Sequence, residues 1–148
     1  MNNILHPLAR FLVALIFLLS GIGKVFGFAD TTQMMTDAGF PAPSFFLAGA
    51  IVLELVGGAF LLFGYKTRYA AVALMVFIIP ATIIFHASGI GDPVHGQEQM
   101  INTLKNLAIL GALLKFAADG AGAFAVDNFF GATKNDLPQS EQAALYVQ

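Results

Sequence analysis

Five polar side chains stand within or at the end of long apolar runs, where ionisable groups are rare. They are Lys24, Glu54, His86, Lys105 and Asn106. Lysine and asparagine donate hydrogen bonds, a carboxylate accepts them, and Glu54 or His86 can exchange a proton. Such a set can bind an oxyanion or a carbonyl oxygen, carry protons, or hold helices together by ion pairs. Which of these roles applies depends on whether the secondary-structure elements that carry these residues place them at the same level of the fold.

The composition indicates that those elements are membrane-spanning helices. Hydrophobic residues make up 57% of the 148 residues and charged residues 11%, against about 45–50% and about 25% in soluble domains. Apolar segments close to the roughly 20 residues needed to cross a bilayer predict spans at about residues 8–28, 45–64, 69–86 and 100–118. The predicted fold is all-α: a polytopic membrane protein with an antiparallel four-helix transmembrane bundle in residues 1–131 and a polar cytoplasmic tail in residues 132–148. The first span is expected to remain uncleaved, because no small-residue cleavage site precedes a hydrophilic start.

Several kinds of chemistry are excluded or disfavoured. The chain has no cysteine, so disulfides, thiolate catalysis and cysteine-ligated iron–sulfur clusters are excluded, and a redox role would need a bound cofactor or a partner. A net charge of −2 without a basic cluster argues against nucleic acid as a partner. His86, Asp92, His95 and Glu98 show no recognised ligand spacing, so no metal site is predicted.

The positive charges predict the orientation. Lys66 and Arg68 lie in the short connection between the second and third spans, whereas the predicted loops at residues 29–44 and 87–99 carry acidic side chains and neither Lys nor Arg. Because cytoplasmic loops are enriched in Lys and Arg, both termini are predicted to be cytoplasmic. Arg10, Lys66 and Arg68 are predicted to be charged anchors on that side, contacting headgroups or helix ends.

The five polar residues are predicted to lie in the same half of the bundle. With a rise of 1.5 Å per residue, Lys24, Lys105 and Glu54 lie roughly 6, 8 and 14 Å from the outward ends of their helices, and His86 ends the third span on that side. Small residues next to Lys24 and Glu54, among them Gly21, Gly57 and Gly58, predict that these faces pack inward, and the Gly23–Gly27 spacing permits close approach of another helix.

Energetics favour a partner for Glu54. An isolated charge near the bilayer centre costs about 2.5–3.5 kcal/mol even on the lenient insertion scale, so Glu54 is expected either to be protonated or to contact Lys24 or Lys105. Two plainer interpretations remain open. Lys24 is close enough to the interface to extend its ammonium group to water, and the Glu54 contact could be a purely structural ion pair.

The order of these motifs resembles that of a known family. Arg10, SGIGKVFGF, GFPAP, LELVGG with Glu54, GYKTR, His86 and the Lys105–Asn106 pair follow one another from Pro7 to Phe130 as in the DoxX family of small bacterial inner-membrane proteins. The resemblance implies a four-helix membrane bundle in the inner (plasma) membrane. The five polar residues match positions where the family places recurring polar groups, but no established catalytic role comes with them.

The resemblance leaves the function open. Some relatives are subunits of thiosulfate:quinone oxidoreductase, and others are membrane partners of soluble redox or sulfur-handling enzymes. The first hypothesis is therefore a non-catalytic membrane partner or scaffold for a soluble redox or sulfur-metabolism enzyme. The alternative is an accessory subunit of a membrane oxidoreductase that binds a quinone or a small anion, and the third is a small proton or solute transporter that uses Glu54. Quinone is the only cofactor that enters these hypotheses, and the bilayer, a redox enzyme and a second copy of the chain are the partners.

Overall fold

A computed structural model describes residues 2–130, so the predicted tail at 132–148 lies outside the described residues. The helices are α1 (Asn2–Phe26), α2 (Phe28–Asp37), α3 (Pro43–Phe63), α4 (Thr67–Phe85), α5 (Gly96–Asp119) and α6 (Val126–Phe130), with a 3₁₀ turn at Ala87–Gly89. Within the described range, four of them are long and apolar enough to cross a membrane: α1, α3, α5, and α4 extended to Gly89. The prediction of an all-α membrane bundle is confirmed.

The connection between α3 and α4 makes these two helices antiparallel. It comprises residues 64–66, in which Gly64 and Lys66 have φ values of 69° and 45°. Tyr65 N–H donates to the Phe60 carbonyl, and Gly64 N–H donates to that of Leu61, which satisfies carbonyls that a helix end leaves free. The end of the bundle that contains Arg10 and this turn is called here the turn end. The opposite end, with α2 and the connection from His86 to His95, is called the loop end.

The outward segment at residues 29–44 was expected to be a loop, and this expectation was wrong for most of its length. Residues Phe28–Asp37 form helix α2, which ends where Gly39 adopts a φ of 73°. Met35 of α2 is buried with Leu47 and Ile51 of α3, and Phe40 stacks on Phe85 of α4 with 5.9 Å between ring centroids. Burial of this apolar face stabilises a helix that is too short to be stable alone.

The long helices pack in the order α1, α3, α4, α5. Close approach is extensive for α1 with α3 and for α4 with α5, intermediate for α3 with α4, and weak at most for α1 with α5. Glycines permit the tightest contacts: a side chain at Gly58 would meet Leu18 at 3.1 Å, and one at Gly57 would meet Leu74 at 2.9 Å. The close approach that the Gly23–Gly27 spacing permits is not used at Gly23 within residues 2–130, where a Cβ would have nothing within 4 Å.

Candidate functional site

The centre of the site is an ion pair between α1 and α3. Lys24 Nζ lies 2.9 Å from each carboxylate oxygen of Glu54 and donates to Ser20 Oγ at 2.6 Å, and Ser20 Oγ donates to Glu54 Oε1 at 2.9 Å. The Glu54 side chain is 4% exposed and that of Lys24 is 27% exposed. Glu54 therefore contacts a cation, as its energetic cost predicted, and its partner is Lys24 and not Lys105.

Local sequence explains how this pair forms. Ser20 and Lys24 are one helical turn apart, so their side chains lie on the same face of α1. Gly21 lies beside them, and a Cβ there would meet the Leu55 side chain at 2.8 Å and Glu54 Cβ at 3.4 Å. The missing side chain lets α1 approach α3 at the level of Glu54, which brings the ammonium group to the carboxylate.

The other three polar residues interact with neighbours on α4 and α5. His86 Nδ1 lies 2.8 Å from Gln99 Oε1, Asn106 Nδ2 donates to Thr82 Oγ1 at 2.9 Å, and Lys105 Nζ donates to Asn102 Oδ1 at 2.9 Å. Because an amide oxygen only accepts hydrogen bonds, this geometry assigns the donor role to Nδ1 of His86. Thr82 in turn donates to the Ile78 carbonyl at 2.6 Å.

All five residues line one cavity of about 420 Å³ between α1, α3, α4 and α5. This volume is in the range of small-molecule sites. The rest of the lining is mainly apolar and comprises Ile16, Phe17, Phe77, Ile78, Ala81 and Ile109, together with Ser20. The cavity thus combines charged and amide groups with an aromatic and aliphatic wall.

The two lysines of the cavity differ in how many of their N–H donors already have a hydrogen-bond acceptor. An ammonium group has three N–H donors, and Lys24 directs contacts to three acceptor atoms of Ser20 and Glu54. Lys105 has one acceptor among the described residues, Asn102 Oδ1, and no carboxylate within salt-bridge distance in that range. With one glutamate and two lysines in the lining, the cavity carries one excess positive charge, which lies on Lys105.

Sequence reasoning missed some residues that support the site. Ser20, Thr82 and Gln99 were not singled out as polar residues of the site. Thr82 could have been found, because it lies one turn before His86 on the same face of α4. Gln99 gave no such signal, since it was expected in a loop and instead lies in the first turn of α5.

The three predicted anchors behave differently from one another. Lys66 and Arg68 are exposed at the turn end, and Lys66 Nζ lies 5.7 Å from the centre of the Tyr65 ring. Arg10 is 1% exposed and donates to the Ala121 carbonyl at 2.8 Å and to that of Phe124 at 2.6 Å. Of the two expected kinds of contact, headgroups and helix ends, the geometry of Arg10 is nearer the second, because its guanidinium group binds carbonyls just beyond the C-terminal end of α5 and fixes the segment that follows.

That segment also caps α4. The Asp127 carboxylate accepts hydrogen bonds from the backbone N–H groups of Lys66 at 2.6 Å and Thr67 at 3.0 Å, and Asp127 N–H donates to the Gly64 carbonyl at 2.9 Å. An acidic side chain at a helix N-terminus satisfies free N–H groups and interacts favourably with the helix dipole. Arg10 and Asp127 together join α1, the turn and the chain after α5.

At the loop end, Asp92 organises the connection between α4 and α5. Hydrogen bonds from the backbone N–H groups of His95 and Val94, at 2.7 and 2.8 Å, lower the pKa of the Asp92 carboxyl group. Within residues 2–130, no group of three or more His, Cys, Asp or Glu side chains is placed to hold a metal ion.

Comparison with known proteins places this architecture in a family. The chain is 37% identical over 119 residues to the inner membrane protein YqjF of Escherichia coli K12, covering 80% of this chain and 86% of that protein. It is 35% identical over 126 residues to the inner membrane protein YphA of the same organism, covering 84% and 89%. An uncharacterized protein of Haemophilus influenzae is 35% identical over 127 residues, covering 82% and 87%.

Two further comparisons complete this picture. No solved structure matches the chain. The family model described as DoxX matches residues 6–87, which include Lys24, Glu54 and His86. Together with four apolar helices of spanning length, this match and the relatives identify the chain as an integral inner-membrane protein of the DoxX family.

Proposed function

We propose that the chain is an accessory membrane subunit without catalytic activity of its own, which binds a small anion or a quinone and serves a soluble redox or sulfur-metabolism enzyme. The observation that carries this proposal is the cavity of about 420 Å³ that Lys24, Glu54, His86, Lys105 and Asn106 line together. An ion pair alone would hold two helices together without such a space.

The unsatisfied donors favour a ligand with oxygen acceptors. Lys105 has N–H groups without an acceptor among the described residues, and Asn106 uses its Nδ2 group once, toward Thr82. A charged donor in a partly enclosed cavity of a membrane-spanning bundle attracts an oxyanion or a carbonyl oxygen more strongly than it would in water. The aromatic rings of Phe17 and Phe77 in the same wall suit the apolar body of a quinone.

The Lys24–Glu54 pair has a different role in this proposal. Its charges cancel and its hydrogen bonds are internal, so it supplies a neutral polar wall and fixes α1 against α3. Ligand recognition then falls to Lys105, His86 and Asn106, on or beside α4 and α5. Glu54 acts as a positioning residue and does not contact the ligand.

The test compares two lysines of one helix. Purified chain in lipid nanodiscs is titrated with thiosulfate, sulfate and a short-chain ubiquinone, and binding is followed by calorimetry. Lys105→Met is expected to weaken binding of the preferred ligand roughly tenfold or more, since a hydrogen bond to a charged group contributes about 1.5–3 kcal/mol. Lys115→Met is the control, because Lys115 pairs with Asp119 on the exposed surface and should leave binding unchanged. Absence of binding to the wild type, or equal affinity in Lys105→Met, would refute the proposal.

A scaffold remains the second candidate, and one observation favours it. An open groove at the turn end is lined by Lys66, Arg68, Tyr69, Gly120 and Asn128 among others, next to the segment that Arg10 and Asp127 fix. The groove also contains Asp119 and Asp127, but Asp119 pairs with Lys115 and Asp127 caps α4. Lys66 and Arg68 therefore remain available to acidic side chains of a soluble partner. In this case Lys66→Glu with Arg68→Glu would abolish co-purification of a partner from native membranes, while Lys105→Met would not.

A further inference from the structure

The polar cavity has a mouth toward the lipid. Ile16 on α1 is 42% exposed and Lys105 on α5 is also exposed, yet both line the cavity. Close backbone approach between α1 and α5 is weak at most, unlike that of α1 with α3, α3 with α4 or α4 with α5. The gap between α1 and α5 is therefore the side on which the cavity is open.

Hydrogen bonds leave this gap unbridged. Lys24 and Glu54 tie α1 to α3, while Asn106 with Thr82 and His86 with Gln99 tie α5 to α4 and its end. None of the side-chain hydrogen bonds within residues 2–130 joins α1 to α5. At the level of the cavity, lateral opening at this seam would break no such bond, since Arg10 joins α1 to the chain after α5 only at the turn end. Opening between α1 and α3 would break an ion pair, and opening between α4 and α5 would break amide contacts. The seam between α3 and α4 has no side-chain hydrogen bond in residues 2–130 either, but the short turn at residues 64–66 holds these two helices together.

We infer that the ligand is an amphiphile with one acidic group, dissolved in the bilayer, which enters sideways between α1 and α5 and places its acidic group on Lys105. This inference rests on the proposed function, namely that the cavity binds a ligand. It narrows the ligand from any small anion or quinone to a lipid-soluble acid.

Charge and polarity both support this class of ligand. The single excess positive charge of the cavity lies on Lys105 at the mouth and matches one negative charge. The apolar side chains of Ile16, Phe17 and Ile109 continue from that charge along the α1–α5 side, as an attached hydrocarbon chain requires. The long side chain of a lysine can also extend its ammonium group toward the interface, where the acidic groups of amphiphiles reside.

The chain contains no tryptophan, which makes a direct test possible. Ile16→Trp places a single fluorophore at the mouth. Leu15→Trp is the matched control, because Leu15 is 37% exposed, lies at nearly the same depth and does not line the cavity. Dibrominated stearate, an amphiphilic carboxylate whose bromines quench tryptophan, is titrated into nanodiscs that contain each variant.

Quenching at Ile16→Trp is expected to show a saturable component on top of the linear rise caused by partition into the bilayer, and Leu15→Trp is expected to show the linear rise alone. Adding Lys105→Met should weaken the saturable component roughly tenfold or more, because the charged contact is lost. Dibrominated stearyl alcohol, which lacks the acid, should give no saturable component.

The outcomes separate the two proposals. If both tryptophan variants show only the linear rise while sulfate, thiosulfate or ubiquinone binds in a Lys105-dependent way, lateral entry of an acidic amphiphile is refuted and the proposed function stands. If none of these ligands binds in a Lys105-dependent way, the proposed function fails as well. Saturable quenching that persists in Lys105→Met would refute the assignment of the acidic group to Lys105.

Discussion

Lys24 Nζ lies 2.9 Å from both carboxylate oxygens of Glu54, so an ammonium group near one end of α1 neutralises an acidic side chain buried in α3. The two partners are unequally placed, since Glu54 is 4% exposed and Lys24 is 27% exposed. Loss of Lys24 leaves a buried carboxylate without a cation partner, whereas loss of the Glu54 charge leaves a lysine that can extend toward water.

This asymmetry predicts the outcome of a double-mutant cycle. Lys24→Met is expected to lower the free energy of unfolding by about 3 kcal/mol and Glu54→Gln by about 1–2 kcal/mol. The double variant should be less destabilised than the sum of the two by at least about 1 kcal/mol, because no unpaired charge remains. The free energy of unfolding of the wild type, the two single variants and the double variant is measured in mixed detergent micelles.

The control cycle uses Lys115 and Asp119, an exposed pair one turn apart on α5. Exposed pairs on helices contribute about 0.3–0.5 kcal/mol, so its coupling should be small. Equal coupling in the two cycles, or additive effects of Lys24→Met and Glu54→Gln, would mean that the α1–α3 pair contributes no more than a surface contact.

The Asp127 cap gives a second prediction. Asp127→Ala removes the acceptor for the N–H groups of Lys66 and Thr67, and loss of a helix N-cap costs about 0.5–2 kcal/mol. Asp127→Asn should cost less, because the amide oxygen still accepts one of the two bonds. Asp119→Ala serves as the control at the same end of the bundle. The prediction fails if hydrogen exchange at Lys66 and Thr67 is no faster in Asp127→Ala than in the control.

Gly64 tests the packing of Arg10. The residue has a φ of 69°, and a Cβ there would contact Arg10 Nη1 and approach Ala125 Cβ to 2.6 Å. Gly64→Ala is therefore expected to destabilise the fold by at least about 1–2 kcal/mol through backbone strain alone. Gly111→Ala, in an open position of α5, should be neutral or stabilising by up to about 1 kcal/mol. Similar unfolding midpoints for the two variants would contradict this account of the turn end.

The Asp92 carboxyl group predicts a dependence on pH. Its pKa is lowered in the folded chain by hydrogen bonds from the N–H groups of His95 and Val94. A lowered pKa means that the contribution of Asp92 is present above the ordinary carboxyl pKa and is lost as the pH falls through the lowered value. Amide exchange at Val94 and His95 should therefore accelerate at acidic pH beyond its intrinsic trend in the wild type. In Asp92→Ala it should follow the intrinsic trend throughout.

The features that could be predicted from the sequence are those that depend on residues close together along the chain. Four apolar segments predicted the spans, and the depths of the charged residues in their helices limited the cation partner of Glu54 to Lys24 or Lys105 without choosing between them. The site's supporting contacts, such as Gln99 with His86, required the unforeseen extension of α5 toward the loop end. The acceptors of Arg10 were not foreseen, because the carbonyls of Ala121 and Phe124 lie over 100 residues away in sequence and no period or spacing encodes such a contact.

The orientation in the membrane remains a prediction from the charge pattern, and the absence of cysteine makes it testable with single substitutions. Val94→Cys places a thiol in the loop-end connection, where Val94 is 79% exposed, and Lys66→Cys places one at the exposed turn. Because Lys66 and Arg68 should face the cytoplasm, a membrane-impermeant maleimide added to intact spheroplasts is expected to label Val94→Cys at once. Lys66→Cys should be labelled only after permeabilisation. The reverse pattern would place both termini outside, and would put the mouth between Ile16 and Lys105 in the cytoplasmic leaflet.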